Sequence, residues 1–120
     1  MRIRMLTVVL LVAVLSGVAY ADARTDAKEQ VEFGIAVAQR GLWKEAIYRW
    51  ERATQIDPNY AAAFNNLAVA YEHEGMLEKA GEAYERALKL EPNNPMVRQN
   101  FELFKEIHDR TTNQNQSPTP

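Results

Sequence analysis

Apolar positions fall into three regimes along the chain. Behind Arg2 and Arg4, Met5 to Leu15 form a dense apolar run interrupted only by Thr7. From about residue 24 to residue 109, large and small apolar side chains recur at helical spacing between charged ones, which predicts a series of amphipathic helices. From Thr111 to Pro120 (TTNQNQSPTP) there is neither a large apolar nor a charged side chain.

Glycine and proline punctuate the middle regime. Gly41 and Gly75 stand just past the last turn of a helical pattern, where a left-handed residue closes the helix. Pro58 and Pro92 each stop a helix, and Asn94-Pro95 reads as an N-cap followed by the first helical position. The reading is all-α, with five helices at about 24–40, 43–56, 60–74, 77–90 and 95–109.

Comparing the chain with itself explains this regularity. A shift of 34 residues lays Ala27–Tyr60 over Ala61–Asn94 without a gap. It matches Ala27/Ala61, Ala36/Ala70, Gly41/Gly75, Ala46/Ala80, Glu51/Glu85, Arg52/Arg86, Ala53/Ala87, Pro58/Pro92 and Asn59/Asn93. Other pairs exchange like for like, such as Phe33/Leu67, Ile35/Val69 and Trp50/Tyr84. This is the period of a helix–turn–helix unit that buries its apolar face against its neighbours.

The second unit resembles a tetratricopeptide repeat (TPR) along its whole length. Phe64, Leu67, Ala68, Tyr71, Gly75, Ala80, Tyr84, Ala87 and Pro92 stand where that family has its large and small residues. The first unit matches at Phe33, Gly34, Gly41, Ala46, Trp50, Ala53 and Pro58, and departs at Gln30 and Val37, where the family has large aromatics. The resemblance implies a TPR-like solenoid of helical hairpins. It would comprise repeat 1 at 27–60, repeat 2 at 61–94 and a capping helix at 95–109, within a unit spanning 22–110.

The small residues have a physical role of their own. Gly34, Ala46 and Ala53, then Ala68, Ala80 and Ala87, let antiparallel helices approach to roughly 8–9 Å. Phe33, Trp50, Leu67, Tyr71 and Tyr84 are expected to fill the space beside them. On the fifth helix Val97, Phe101 and Phe104 form an apolar stripe toward the array, whereas Arg98, Glu102 and Lys105 stand where a further helix would pack. That combination describes a solubilising cap. Residues 111–120 are expected to be a disordered tail, since they offer nothing to offset the entropy of ordering.

The resemblance also implies a concave groove lined by the first helix of each unit. Its places fall on Lys28, Val31, Ile35, Ala38 and Gln39, then Ala62, Asn65, Val69, Glu72 and His73, then Met96, Gln99, Leu103, Glu106 and Ile107. The candidate partner-binding residues are Val31, Ile35, Asn65, Val69, His73, Met96, Leu103 and Ile107. Members of the family that grip a terminal carboxylate have lysine and asparagine where this chain has Val31 and Ile35, so a carboxylate clamp loses its support. Val31, Ile35 and Val69 also have a plainer reading as inter-helix core.

The apolar leader bears on location. The run from Met5 to Leu15 covers about 16 Å of helix against a hydrocarbon core of roughly 30 Å, and Ala19-Tyr20-Ala21 follows as a small-x-small cleavage site. A signal peptide at 1–21 is expected, leaving an exported and periplasmic protein that begins at Asp22. Uncleaved, the segment would instead anchor the chain in the membrane. There is no cysteine, which excludes disulfides and thiolate metal sites.

Charge and chemistry narrow the function. The 14 basic and 16 acidic residues give a net charge of −2, and losing Arg2 and Arg4 with the leader makes the remainder more acidic, which argues against a nucleic-acid partner. His73 and His108 each stand alone and are expected on solvated helix surfaces, and the pairs Glu72/Glu74 and Glu82/Glu85 on outward faces. No catalytic, metal or cofactor site is expected. Two functions fit the sequence: an adaptor or assembly factor holding a segment of another protein outside the cytoplasmic membrane, or a self-association module that forms a homodimer or pairs with a longer repeat protein.

Overall fold

Five helices follow one another in the order α1 (Arg2–Gln39), α2 (Trp43–Ile56), α3 (Ala61–His73), α4 (Leu77–Leu90) and α5 (Pro95–Gln116). This computed structural model describes the backbone of residues 2–116 and the side chains of residues 19–116. Each helix packs on the next, and α5 also reaches back to α3. The architecture is therefore a solenoid of two hairpins, α1/α2 and α3/α4, closed by a fifth helix.

The turns follow from the residues at the helix ends. Gly41 and Gly75 take positive φ of 78° and 73°. At the first, Gly41 N–H bonds to Ala38 O at 2.9 Å and Leu42 N–H to Val37 O at 3.0 Å; at the second, Gly75 N–H bonds to Glu72 O at 3.1 Å and Met76 N–H to Tyr71 O at 2.7 Å. Both are Schellman closures, which use carbonyls that the helix end would leave unpaired. Asp57 and Glu91, the residues before Pro58 and Pro92, have φ of −132° and −135°, outside the helical region, as the proline ring requires of its predecessor. Asn94 caps α5, its Oδ1 accepting from Met96 N–H at 3.1 Å and Val97 N–H at 3.3 Å.

The core runs as a seam along the hairpins. Ala46, Ala53, Ala68, Ala80 and Ala87 have no exposed surface, and Trp50, Leu67, Tyr71 and Tyr84 are buried beside them. Val97 and Phe104 seat α5 on the second hairpin, with Tyr84 and Phe104 ring centroids 5.5 Å apart, while Arg98, Glu102 and Lys105 are exposed. The cap thus has its apolar stripe inward and its charged stripe outward.

Three expectations are corrected. Phe33 does not fill the core; its ring is exposed and lies under the Arg49 guanidinium at 4.2 Å, because Trp50 already occupies the space over Gly34. Helix α5 does not stop near residue 109 but continues to Gln116, six residues into the expected tail. Extending a formed helix adds a hydrogen bond for each residue ordered, and here the hydroxyls of Thr111 and Thr112 also bond to the carbonyls of Ile107 and His108. Residues 117–120 of that segment lie outside the described residues. Helix α1, finally, does not start near residue 24 but runs through Ala19-Tyr20-Ala21 from Arg2, with no proline to interrupt it. The side chains of Met5–Leu15 lie outside the described residues; among those described, no helix is long and apolar enough to cross a membrane.

The start of the array is fastened at Arg24. Its guanidinium donates to Asp57 Oδ2 at 2.5 Å and to the Asn59 carbonyl at 3.2 Å, and lies 4.6 Å from the centre of the Tyr60 ring. One side chain near the proposed cleavage point therefore holds α1 to the turn between the hairpins.

Candidate functional site

The first helices of the units, α1, α3 and α5, share one face, and a hollow of about 430 Å³ opens on it. Helix α1 supplies Ile35, Ala38 and Gln39, and α3 supplies Asn65, Asn66 and Val69. Met96 and Asn100 come from α5, and Trp43 and Trp50 of α2 form the floor between the hairpins. Ile35, Val69 and Met96 are 41%, 36% and 55% exposed, apolar surface that the fold itself does not cover. None of the ten lining side chains is charged.

A short amide network sits among these apolar walls. Asn65 is buried, and its Oδ1 accepts from Asn100 Nδ2 at 3.2 Å, joining α3 to α5. Asn66 makes no side-chain hydrogen bond to another described residue. A carboxamide carries both donors and an acceptor, so Asn66 and Asn100 can pair with the amide groups of an extended chain laid along the hollow, while the buried Asn65 holds Asn100 in place.

Of the eight residues expected to line a groove, Ile35, Asn65, Val69 and Met96 come together here. Val31 does not: it is 5% exposed, and its carbonyl accepts from Trp50 Nε1 at 3.0 Å. The indole, lying across the glycine one turn along, covers it and makes it core. His73 stands at the edge, its ring stacked on Trp43 at 4.1 Å with 21° between planes. Leu103 and Ile107 lie further along α5, both half-exposed; Ile107 borders a second, smaller hollow.

The sequence reading missed Trp43, Trp50, Asn66 and Asn100 as lining residues. A signal for the last two was present, since Asn66 and Asn100 are 34 residues apart and so hold the same place in successive units. Two further residues behave otherwise than expected. His108 is not a solvated surface ring but stacks on Phe104 at 5.7 Å, and Glu72 does not simply face water but accepts from the Tyr84 hydroxyl at 2.9 Å.

Paired tyrosines and glutamates tie the helices together, Tyr71–Glu51 between the two hairpins and Tyr84–Glu72 within the second. The Tyr71 hydroxyl donates to Glu51 Oε1 at 2.6 Å, across from α3 to α2. Burial, and after it the bond to Glu51, pushes the Tyr71 hydroxyl pKa upward; burial and Glu72 do the same for Tyr84. Among the described residues there is no group of three or more His, Cys, Asp or Glu placed to hold a metal ion.

Comparison with known families gives two matches. The Tetratricopeptide repeat model matches residues 61–94 and the TPR repeat model matches residues 34–75, so the two together run from the last turns of α1 to the turn before α5. No curated protein matches the chain.

Proposed function

The chain belongs to the tetratricopeptide repeat family, whose repeats generally bind proteins or peptides, and from that premise we propose that it is an adaptor or assembly factor that holds an extended segment of another protein in the α1/α3/α5 hollow. The observation that carries this reading is the composition of the hollow: exposed Ile35, Val69 and Met96 surround Asn65, Asn66 and Asn100, with no charge among them. Apolar surface left over after the fold has closed is a candidate contact surface. The asparagine amides give a main chain its hydrogen bonds, and the apolar walls select alternate side chains. Because the lining is uncharged, salt weakens such a complex only modestly.

A photo-reactive apolar residue at position 96, in the hollow, and another at position 48, on the exposed side of α2, test the assignment. The reading expects a discrete crosslinked partner from position 96 and none from position 48. Equal labelling from both positions would contradict it.

The adaptor acts, in this proposal, outside the cytoplasmic membrane after cleavage behind Ala21. Support comes from the Ala19-Tyr20-Ala21 site and from Arg24, which stays with the mature chain and fastens α1 to the inter-hairpin turn. Intact mass of the exported protein checks it: a chain starting at Asp22 is expected, and one starting at Met1 in the membrane fraction would overturn it.

A further inference from the structure

Among the described residues no helix lies in front of the first hairpin, so its leading face can be compared with the same face of the second. On α3, Ala63, Leu67 and Ala70 are spaced as one helical stripe and are buried where α3 packs behind α2, Leu67 to 5% exposure. The 34-residue shift lays Glu29, Phe33 and Ala36 of α1 on those three places. All three are exposed, Phe33 by 47%. Arg40, at the end of α1, continues the stripe one turn further and is exposed too. Glu29 and Arg40 are in no ion pair among the described residues.

Along this stripe the order is acid, large, small, base. Reversal about the midpoint of Phe33 and Ala36 exchanges those two places and exchanges Glu29 with Arg40, so the stripe is its own complement when turned end for end. A second α1 laid antiparallel therefore sets each Phe33 against the second copy's Ala36, and each Glu29 against the second copy's Arg40. The small alanine permits the roughly 8–10 Å separation of packed helices. Phe33 is already ordered, because the Arg49 guanidinium, held by Glu45 at 3.0 Å, lies 4.2 Å from its ring centre. Little side-chain freedom is left to lose on contact.

We infer that the leading face of α1 is a homodimer contact, in which the Glu29–Phe33–Ala36–Arg40 stripe pairs with the same stripe of a second copy about a two-fold axis. The other end of the array does not compete for it. Arg98, Glu102 and Lys105 of α5 are exposed there, and that charged cap gives Phe33 no apolar seat. Head-to-tail stacking would also continue without closing, whereas two leading faces close on each other. The pair leaves both binding hollows open, since Ile35, Val69 and Met96 line a different face, and the inference stands apart from the proposed function. One helix stripe is a small contact, so the dimer is micromolar rather than nanomolar.

Sedimentation of the exported protein from micromolar to millimolar concentration tests this. A reversible monomer–dimer equilibrium with no larger species is expected. Phe33→Asp, at an exposed position and with a carboxylate still near Arg49, abolishes the dimer. Glu29→Arg and Arg40→Glu each set like charges opposite one another twice and weaken it about tenfold, and the double variant returns to within about threefold of the parent. Met96→Asp keeps the parent dimer, so failure of the partner-binding hollow and failure of this contact are told apart. Helical circular dichroism establishes that each variant is folded. A monomer at millimolar concentration, a larger assembly, a folded Phe33→Asp that dimerises like the parent, a double reversal no tighter than the single ones, or loss of the dimer in Met96→Asp would each overturn the inference. So would a photo-reactive residue at position 33 that captures a different protein instead of a second copy.

Discussion

The indole of Trp50 lies on Gly34: a Cβ at that glycine would stand 2.3 Å from Trp50 Nε1. The contact explains two features at once. It lets Trp50 reach the Val31 carbonyl and become a floor of the binding hollow, and it turns Phe33 outward beneath Arg49.

Gly34→Ala is therefore expected to destabilise the fold by roughly 1–3 kcal/mol, against the usual gain from replacing a helical glycine. Gly81 provides the contrast, because a Cβ there would meet only Phe104 Cε1 at 3.4 Å. Gly81→Ala should stabilise by about 0.5–1 kcal/mol. Thermal melts of the two variants moving in the same direction would show that the Trp50 contact does not govern the packing of α1 on α2.

Ala87 has no exposed surface, whereas Ala62 is partly open on α3. Ala87→Leu should cost about 1–3 kcal/mol by overpacking the second hairpin, and Ala62→Leu should change stability little. Denaturant midpoints measure both, and equal effects would contradict the helix register described above.

These core positions were readable from the sequence because close helix approach demands small residues, helix closure demands a left-handed glycine, and both recur at the repeat spacing. The groove was less legible. Val31 holds a groove place by resemblance, but which helical residues a neighbouring indole covers depends on how far the indole reaches, and that distance is not written in the spacing. The roles of Glu72 and His108 were hidden for a similar reason. Their partners, Tyr84 and Phe104, are set by how the hairpin and cap pack.

The tyrosine–glutamate bonds predict an alkaline limit to stability. In the unfolded chain Tyr71 and Tyr84 lose their protons near pH ~10, but the fold holds them protonated to higher pH. Above that point the folded state binds more protons than the unfolded one, so stability falls as pH rises. The part of the tyrosinate absorbance that a Tyr84→Phe variant lacks should appear, in the parent protein, together with the loss of helical circular dichroism. Tyr84→Phe should make the alkaline fall shallower and cost roughly 1 kcal/mol at neutral pH. An unchanged slope in that variant would remove Tyr84 from the explanation.

Leu103 is half-exposed on α5, between the two hollows in sequence, and takes no part in seating the cap. Leu103→Asp should leave stability within about 0.5 kcal/mol while weakening partner capture, since the charge would lose its water in the complex. Capture at full strength by this folded variant would confine the contact to the uncharged hollow.

Met96 offers the most direct test of the binding assignment. It is 55% exposed, lines the uncharged hollow and stands in the first turn of α5, where an aspartate is favourable to the helix. Met96→Asp should therefore melt no lower than the parent protein. Measured on that same variant, affinity for the crosslinked partner should fall by tenfold or more, about 1.4 kcal/mol, because the carboxylate is desolvated among Ile35, Val69 and Trp43. A Met96→Asp protein that melts like the parent and binds its partner with undiminished affinity would contradict the assignment of this hollow as the binding site.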